Sequence, residues 1–138
     1  MPQQRGEHDG KPGRSEALRQ CGQEIVRHGA EACSPNTVSF TYDTYMLANG
    51  TGKALTKSGG DTWFFLTADY AFGAALEKDT AAAVTAAGGK VLGAVKHPLN
   101  TPDFSSFLLQ GQTSKAKVIG LANAGGDTTN AIKQAAEF

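Results

Sequence analysis

The chain has 138 residues, with 13 Lys and Arg against 13 Asp and Glu, so its formal net charge is zero. This length fits one domain of ordinary size and excludes a large two-domain enzyme within the chain, and the zero charge argues against general electrostatic binding to nucleic acid or to an anionic membrane. No run approaches the roughly 18 continuous apolar residues of a membrane helix, no apolar N-terminal stretch predicts a signal peptide, and two cysteines cannot build a disulfide-dense scaffold.

Residues 1–32 differ in composition from the rest of the chain. All arginines lie before residue 28, whereas every Trp, Tyr and Phe lies after residue 39. We expect this segment to be poorly ordered, because its few large aliphatic side chains do not offset an ordering entropy of about 1–2 kcal/mol per residue. Acids and bases balance there, which argues against a basic interaction tail. We expect Cys21 and Cys33 to be unpaired thiols, although the spacing leaves a pairing open.

Strand-like and helix-like patterns alternate from residue 36 onward. Residues 38–41 predict a short strand, and residues 58–61 predict a turn rich in glycine. The continuous apolar run at 62–67 is typical of a strand buried on both faces of a parallel sheet. Between the strand at 38–41 and the turn at 58–61, a helix is predicted over 43–57, weakened by about 1 kcal/mol at each of two glycines. One face of this helix is formed by Leu47, Ala48, Thr51 and Leu55.

Three further strand–helix units follow in the predicted order. A helix over 72–87 precedes a second strand of the buried type over 90–96, and a third strand is predicted over 117–122. Residues 101–103 resemble a helix start with a cap, a first-turn proline and an acid near the positive dipole end. The last helix is predicted over 127–138. The predicted inward side chains are Phe72, Leu76, Ala83, Val84 and Ala87 in the first helix, Val91, Leu92 and Val95 in the second strand, Phe104, Phe107 and Leu108 in the second helix, and Ala131, Ile132 and Ala135 in the last.

This alternation predicts an α/β fold, a doubly wound parallel sheet between two helical layers. The last helical pattern runs to Phe138, so we expect an incomplete lobe over 33–138. In such sheets ligands lie beyond the carboxyl ends of the strands. The loops at 67–73 and 123–127 are rich in aromatic, amide and glycine groups, which suit a small organic ligand. The alternative is structural, with Asp69 and Asp127 capping helices and the glycines making turns.

Other motifs are weak. Residues 50–54 lack the spacing of a phosphate loop and lie in a helix pattern, and residues 120–126 lack the order of a dinucleotide fingerprint. Asp69 after a strand permits a small flavodoxin-like or receiver-like signalling domain as an alternative. His97 is expected to be a surface residue at a strand end rather than a metal ligand. We find no nucleophile–base pair and no cofactor motif, and the glycosylation sequon at Asn49 lies in a helix pattern.

An ordered set of motifs over 33–138 resembles the type I periplasmic binding proteins. The set comprises Asp69-Tyr70-Ala71-Phe72-Gly73, then Asp103-Phe104-Ser105, then Val118-Ile119-Gly120 leading into Asn123-Ala124-Gly125-Gly126-Asp127. It is most similar to the second lobe of the leucine/isoleucine/valine-binding family, the substrate-binding components of ABC transporters. The resemblance implies two lobes that close on a solute, a membrane permease as partner, a periplasmic location, no cofactor and no enzymatic activity.

The resemblance also implies roles for individual residues. Residues 41–43 would lie near the crossing between lobes. The ligand-binding set would be Thr41, Tyr42, Thr67, Tyr70, Phe72, Asn123, Gly125, Gly126 and Asp127. Small residues stand at 124–126, where amino-acid binders often carry aromatic residues, which leaves room for an aromatic or other bulky carboxylate as well as a branched-chain amino acid. A non-functional truncated gene product is the remaining alternative.

Overall fold

The computed structural model describes Tyr42 and residues 44–137. The predicted strand at 38–41, the N-terminal segment and both cysteines lie outside the described residues. The first helix, α1 (44–57), is built from three consecutive segments, Thr44–Leu47, Ala48–Gly52 and Lys53–Lys57. The remaining elements are β1 (Thr62–Ala68), α2 (Ala71–Ala86), β2 (Lys90–His97), α3 (Ser105–Thr113), β3 (Val118–Ala122) and α4 (Gly126–Ala135).

The three strands form one parallel sheet in the order β2-β1-β3. Trp63 of β1 aligns with Val91 on one side and with Val118 on the other. All β1 residues from Trp63 to Ala68 are buried, as the continuous apolar run predicts for a central strand covered on both faces. The predicted parallel α/β fold is confirmed.

Alternate side chains of β1 enter two separate cores, because successive strand residues point to opposite faces. On one face, Phe64 and Leu66 pack with Phe104, Leu108 and Ala131, so α3 and α4 cover this face. On the other, Trp63 and Phe65 pack with Val84 of α2. Helix α1 joins α2 through the Thr44 hydroxyl, which donates to Asp79 Oδ2 at 2.7 Å. No helix among residues 44–137 is long and apolar enough to cross a membrane.

Helix α1 buries a different face from the one predicted. Its middle segment, Ala48–Gly52, is π-helical, and a π turn holds more residues than the 3.6 of an α-helix. The interval between inward positions therefore widens to four residues. The predicted face is wrong at Thr51 and Leu55, which are exposed, and the buried residues are Thr44, Ala48, Gly52 and Thr56.

Strand β2 is not buried on both faces as predicted. Its residues alternate between exposed and partly buried positions, and Leu92 is 40% exposed. The cause is its place at the edge of the three-stranded sheet, where one face lacks full helical cover. Val91, Leu92 and Val95 suggest a buried strand, whereas Lys90 and Lys96 near the two ends of β2 are the sequence signal of its exposed position.

Helix α3 begins later than predicted, at Ser105, with Phe104 at the N-cap. Thr101 is not its cap, because the Thr101 hydroxyl donates to the Pro98 carbonyl at 2.6 Å. Asp103 holds the helix start instead: its Oδ1 accepts from the Ser105 hydroxyl at 2.6 Å and from the Ser105 N–H at 2.9 Å. These hydrogen bonds lower the pKa of the Asp103 carboxyl.

Helix α4 is rotated relative to the prediction. Asp127 and Ala131 are buried, whereas Ile132 is 58% exposed and Ala135 is exposed. The Gln134 amide fixes this rotation, because its oxygen accepts from the Phe104 N–H at 2.6 Å and its nitrogen donates to the Pro102 carbonyl at 2.9 Å. In α2 the prediction holds for Ala83 and Val84, which are buried. Phe72, Leu76 and Ala87 are partly buried.

Candidate functional site

Two aromatic rings pack together at the carboxyl edge of the sheet, and a third lies near them. Tyr70 and Phe72 stand at the start of α2, just beyond β1, with ring centroids 6.0 Å apart. Tyr42 precedes α1 and is 59% exposed. Burial raises the pKa of the Tyr70 phenol, and the neighbouring Asp127 and Tyr42 add to this effect. The Tyr70 phenol is therefore a weaker acid than a free tyrosine.

Two helices point uncapped N-termini toward this edge. The N-cap residues are Tyr70 for α2 and Gly125 for α4, and neither makes a side-chain capping hydrogen bond. Gly125 has φ +61° and ψ −130°, a conformation that favours glycine. Helix N-termini carry unpaired N–H groups and the positive end of the helix dipole. The edge is therefore suited to a negatively charged group.

Asp127 lies in the first turn of α4 but ties down a neighbouring loop. Its Oδ2 accepts from the backbone N–H of Asn100 at 3.1 Å, and the residue is 6% exposed. Asn100 has φ +58°, so this hydrogen bond stabilises a backbone conformation that is uncommon outside glycine. The structure gives Asp127 a clear role within the fold, next to Tyr70.

His97 is not the surface residue that the sequence predicts. It is fully buried at the end of β2, because Phe104 packs edge-on against its ring at a centroid distance of 4.8 Å. The amide nitrogen of Asn123 lies 3.1 Å from His97 Nε2, and the Thr128 hydroxyl donates to Asn123 Oδ1 at 2.8 Å. The loops after β2 and β3 are thereby joined through side chains.

Thr67 lies beneath the edge rather than on it. It is fully buried, and its hydroxyl donates to Glu77 Oε2 of α2 at 2.5 Å. This bond fixes α2 against the end of β1. Thr41, the remaining member of the predicted set, lies outside the described residues.

An apolar cavity of about 400 Å³ opens beside β3, between α1 and α2. Its walls include Trp63 and Phe65 from β1, and Phe72 and Tyr42 stand among its lining residues. Sequence reasoning did not predict this cavity. The sequence did indicate one of its walls, since three residues of the predicted face of α1, Leu47, Thr51 and Leu55, line the cavity.

Asp69, residues 50–54 and Asn49, which the sequence singled out, lie in surroundings that are typical of structural residues. Asp69 is exposed and pairs with Lys96, with Nζ and Oδ1 3.3 Å apart. The described residues contain no group of three or more His, Cys, Asp or Glu that could hold a metal ion, and hence no acidic cluster of the receiver type around Asp69. Residues 50–54 lie within helix α1, and the Asn49 amide donates to the Tyr45 carbonyl at 2.9 Å.

The predicted site residues thus divide into two groups. Tyr42, Tyr70 and Phe72 lie at the carboxyl edge with Gly125 and Gly126, while Thr67, Asn123 and Asp127 are buried and hydrogen-bonded within the fold. A family model described as "Periplasmic binding protein" matches residues 22–138. The chain belongs to this family. The match begins ahead of Cys33, where we expected the lobe to start, and that boundary stays a prediction.

Solved structures of family members superpose on the described fold. A periplasmic binding protein from Burkholderia mallei is 69% identical, with a TM-score of 0.75 over 78% of this chain and 29% of that chain. A branched-chain amino acid ABC transporter periplasmic ligand-binding protein from Burkholderia xenovorans is 35% identical, with a TM-score of 0.70 over 73% of this chain and 27% of that one.

A solute-binding protein of an ABC transporter from Rhodopseudomonas palustris, in complex with 3,4-dihydroxybenzoic acid, is 28% identical, with a TM-score of 0.69 over 80% of this chain and 30% of that one. No curated protein matches. The chain spans less than a third of the length of these three solved relatives. The resemblance to ABC transporter binding proteins of the branched-chain amino acid type is confirmed, as is the fold of one part of such a protein. The family consists of periplasmic substrate-binding transport proteins rather than enzymes.

Proposed function

We propose that this chain supplies one wall of a solute site in an ABC transporter binding protein, and that the solute carries a carboxylate. The observation that carries this proposal is the packed pair of Tyr70 and Phe72, with Tyr42 nearby, beside two uncapped helix N-termini at one edge of the sheet. The rings offer a stacking surface, and the N–H groups offer donors near positive dipole ends. The protein would act by binding, without catalysis, in the periplasm, and would deliver the solute to a membrane permease.

The relatives support a carboxylate as the shared chemistry. One is described as a branched-chain amino acid binder, and another was solved with 3,4-dihydroxybenzoic acid. Both kinds of solute carry a carboxylate, while only the second is aromatic. In this chain, residues 124–126 are small and exposed, so they leave room for a ring against Tyr70 and Phe72. An aromatic carboxylate therefore fits the described wall better than a branched-chain amino acid.

The role of each predicted residue follows from its place. Tyr42, Tyr70 and Phe72 would pack on the ring, and the N–H groups of Gly125, Gly126 and Asp127 would donate to the carboxylate. The Asn123 amide uses one N–H toward His97 and its oxygen toward Thr128. Its second N–H would donate to the solute. Thr67 would contribute by fixing the start of α2 through Glu77.

One wall alone should bind weakly. If a complete site between two lobes reached micromolar affinity, about 8 kcal/mol, a wall with half the contacts would retain about 4 kcal/mol, near millimolar. Nuclear magnetic resonance detects binding of this strength residue by residue.

The test is a titration of the ¹⁵N-labelled chain with 3,4-dihydroxybenzoate, with leucine as the competing solute. We expect shifts confined to amides at 42, 70–73 and 123–128, larger for the aromatic acid. The control ligand is 3,4-dihydroxybenzyl alcohol, which keeps the ring and lacks the carboxylate. The control variant is Leu109→Ala, which removes an exposed apolar side chain on α3. Equal shifts with the alcohol, or shifts elsewhere, would contradict the proposal.

A further inference from the structure

A directional chain of hydrogen bonds crosses the buried side of the carboxyl edge. It leads from the Thr128 hydroxyl to Asn123 Oδ1 at 2.8 Å, from the Asn123 amide nitrogen to His97 Nε2 at 3.1 Å, and from His97 Nδ1 to the Pro98 carbonyl oxygen at 2.8 Å. His97 is fully buried and Asn123 is 7% exposed. The bond between Asn123 and His97 is therefore shielded from water, and these two side chains must find their partners within the fold.

The surroundings of Nδ1 decide which ring nitrogen carries the hydrogen. The Pro98 carbonyl oxygen can only accept a hydrogen bond. The Thr101 hydroxyl, 3.4 Å from Nδ1, donates its single hydrogen to that same oxygen at 2.6 Å, so toward the ring it can only accept. Both neighbours of Nδ1 are thus acceptors, and Nδ1 must be the donor.

The tautomer then fixes the orientation of Asn123. A neutral ring protonated at Nδ1 has an acceptor at Nε2, so the NH₂ group of Asn123 must face it. The Asn123 oxygen consequently faces Thr128, in agreement with the short bond from the Thr128 hydroxyl. Reversing the amide would place two acceptors, Nε2 of this tautomer and Asn123 Oδ1, together at His97. For the neutral ring, only the unreversed orientation of the Asn123 amide gives His97 Nε2 a donor.

We propose that His97, as the Nδ1–H tautomer, is a positioning residue for the solute loop at 123–128. Through Asn123 it holds Thr128, and with it the first turn of α4, whose N–H groups would receive the solute. Asp127 adds a second connection between the same two loops by accepting from the Asn100 N–H. The link to the solute rests on the proposed function, whereas the tautomer and its effect on the loop do not.

The first test needs no substitution. A long-range ¹H–¹⁵N spectrum of the full chain, labelled at histidine, distinguishes the two tautomers by the pattern of couplings to the ring protons. We expect His97 to appear as a single species protonated at Nδ1. A spectrum of the Nε2–H tautomer, or of a mixture of both, would overturn the proposal. Because this measurement uses the unmodified chain, it stands even if the variants fold poorly.

The second test uses two replacements of His97 that differ at one point. In His97→Gln the side-chain amide reaches the position of Nε2 and can still accept from Asn123. In His97→Asn it reaches only the position of Nδ1, so the Asn123 amide loses its acceptor. We expect hydrogen exchange at the Thr129 N–H, which bonds to the Gly125 carbonyl, to accelerate about tenfold or more in His97→Asn relative to a β1 amide. His97→Gln should restore most of this protection.

The control is Phe107→Leu, which removes a ring packed 6.0 Å from the imidazole without touching the hydrogen bonds. It should accelerate exchange in both regions together. If His97→Asn and His97→Gln gave the same ratio as Phe107→Leu, His97 would be a packing residue only. If instead the exchange ratios behave as expected but no carboxylate binds, the proposed function fails while the positioning role stands.

Discussion

Gly73, in the first turn of α2, is the position where the smallest change should have the largest effect. A methyl group built on its Cα would lie within van der Waals overlap of the Ala68 carbonyl oxygen, at 2.2 Å, and would be 2.9 Å from the Ala122 carbonyl oxygen. Both oxygens belong to backbone at the ends of β1 and β3, so neither can swing aside like a flexible side chain. The start of α2 would have to move away from the sheet.

The cost of Gly73→Ala can be set against the usual gain. In an exposed helix interior, alanine is more favourable than glycine by about 1 kcal/mol. Overpacking in a well-packed region costs about 1–3 kcal/mol and sometimes more, and here the obstacle is rigid backbone. The movement would also strain the bond between Thr67 and Glu77. A contact this short with backbone puts the cost at or above the top of that range, about 3–4 kcal/mol. After subtraction of the propensity gain, we expect a net loss of about 2–3 kcal/mol in the free energy of unfolding.

Urea unfolding of the full chain, followed by tryptophan fluorescence, measures this loss, because Trp63 is buried in the core that α2 covers. The control is Gly50→Ala, where no atom lies within 4 Å of the added methyl. That variant should be unchanged or up to about 1 kcal/mol more stable. If Gly73→Ala were as stable as the parent chain, the close approach of α2 to the strand ends would be incorrect.

Three further predictions concern single side chains. Thr67→Val should lower the free energy of unfolding by about 1–3 kcal/mol, because Glu77 loses a buried donor. Thr67→Ser keeps the hydroxyl and should retain most of the parent chain's stability in the same urea assay. Lys117→Met should raise the pKa of Asp61 toward its usual value in a carboxyl titration, because the Lys117 hydrogen bond is the main cause of the lowered pKa. The stabilisation from this lowered pKa is present above the unfolded value of 3.8 and is lost as the pH falls. The variant should therefore lose less stability than the parent chain on acidification. Asp127→Asn should lower the pKa of Tyr70 only part of the way, since burial is the larger cause, and phenolate absorbance at alkaline pH would show no change if the two side chains did not interact.

The elements themselves could be predicted because they depend on local patterns. The run in β1 is apolar at every position from Trp63 to Leu66, which suits a strand covered on both faces. Turns at Gly59 and Gly88 have φ values of +108° and +90°, which glycine adopts readily. The ordered motifs were sufficient to indicate the family.

What could not be predicted depends on contacts between distant residues. The position of β2 at the sheet edge follows from the order of crossovers, and the rotation of α4 follows from Gln134 bonding to the Phe104 N–H, 30 residues away in sequence. His97 is buried because Phe104 packs on it, and an isolated histidine at a strand end carries no sign of that. The place of Tyr70 and Phe72 beyond the end of β1 could be predicted, since they follow that strand directly in sequence, whereas the hydrogen bonds of Thr67 and Asn123 could not.

The π-helical turn in α1 makes this helix sensitive to changes in length. Residues 48–52 hold one more residue than a regular turn would, and this extra residue brings Thr56 under the helix, where its hydroxyl donates to the Gly52 carbonyl at 2.8 Å. Deleting one residue there would let regular winding resume and rotate everything before it by about 100° relative to 53–57. Thr44 would then leave Asp79, and Tyr42 would turn away from the aromatic cluster. Insertions and deletions in α1 should therefore be far less tolerated than substitutions at its exposed positions.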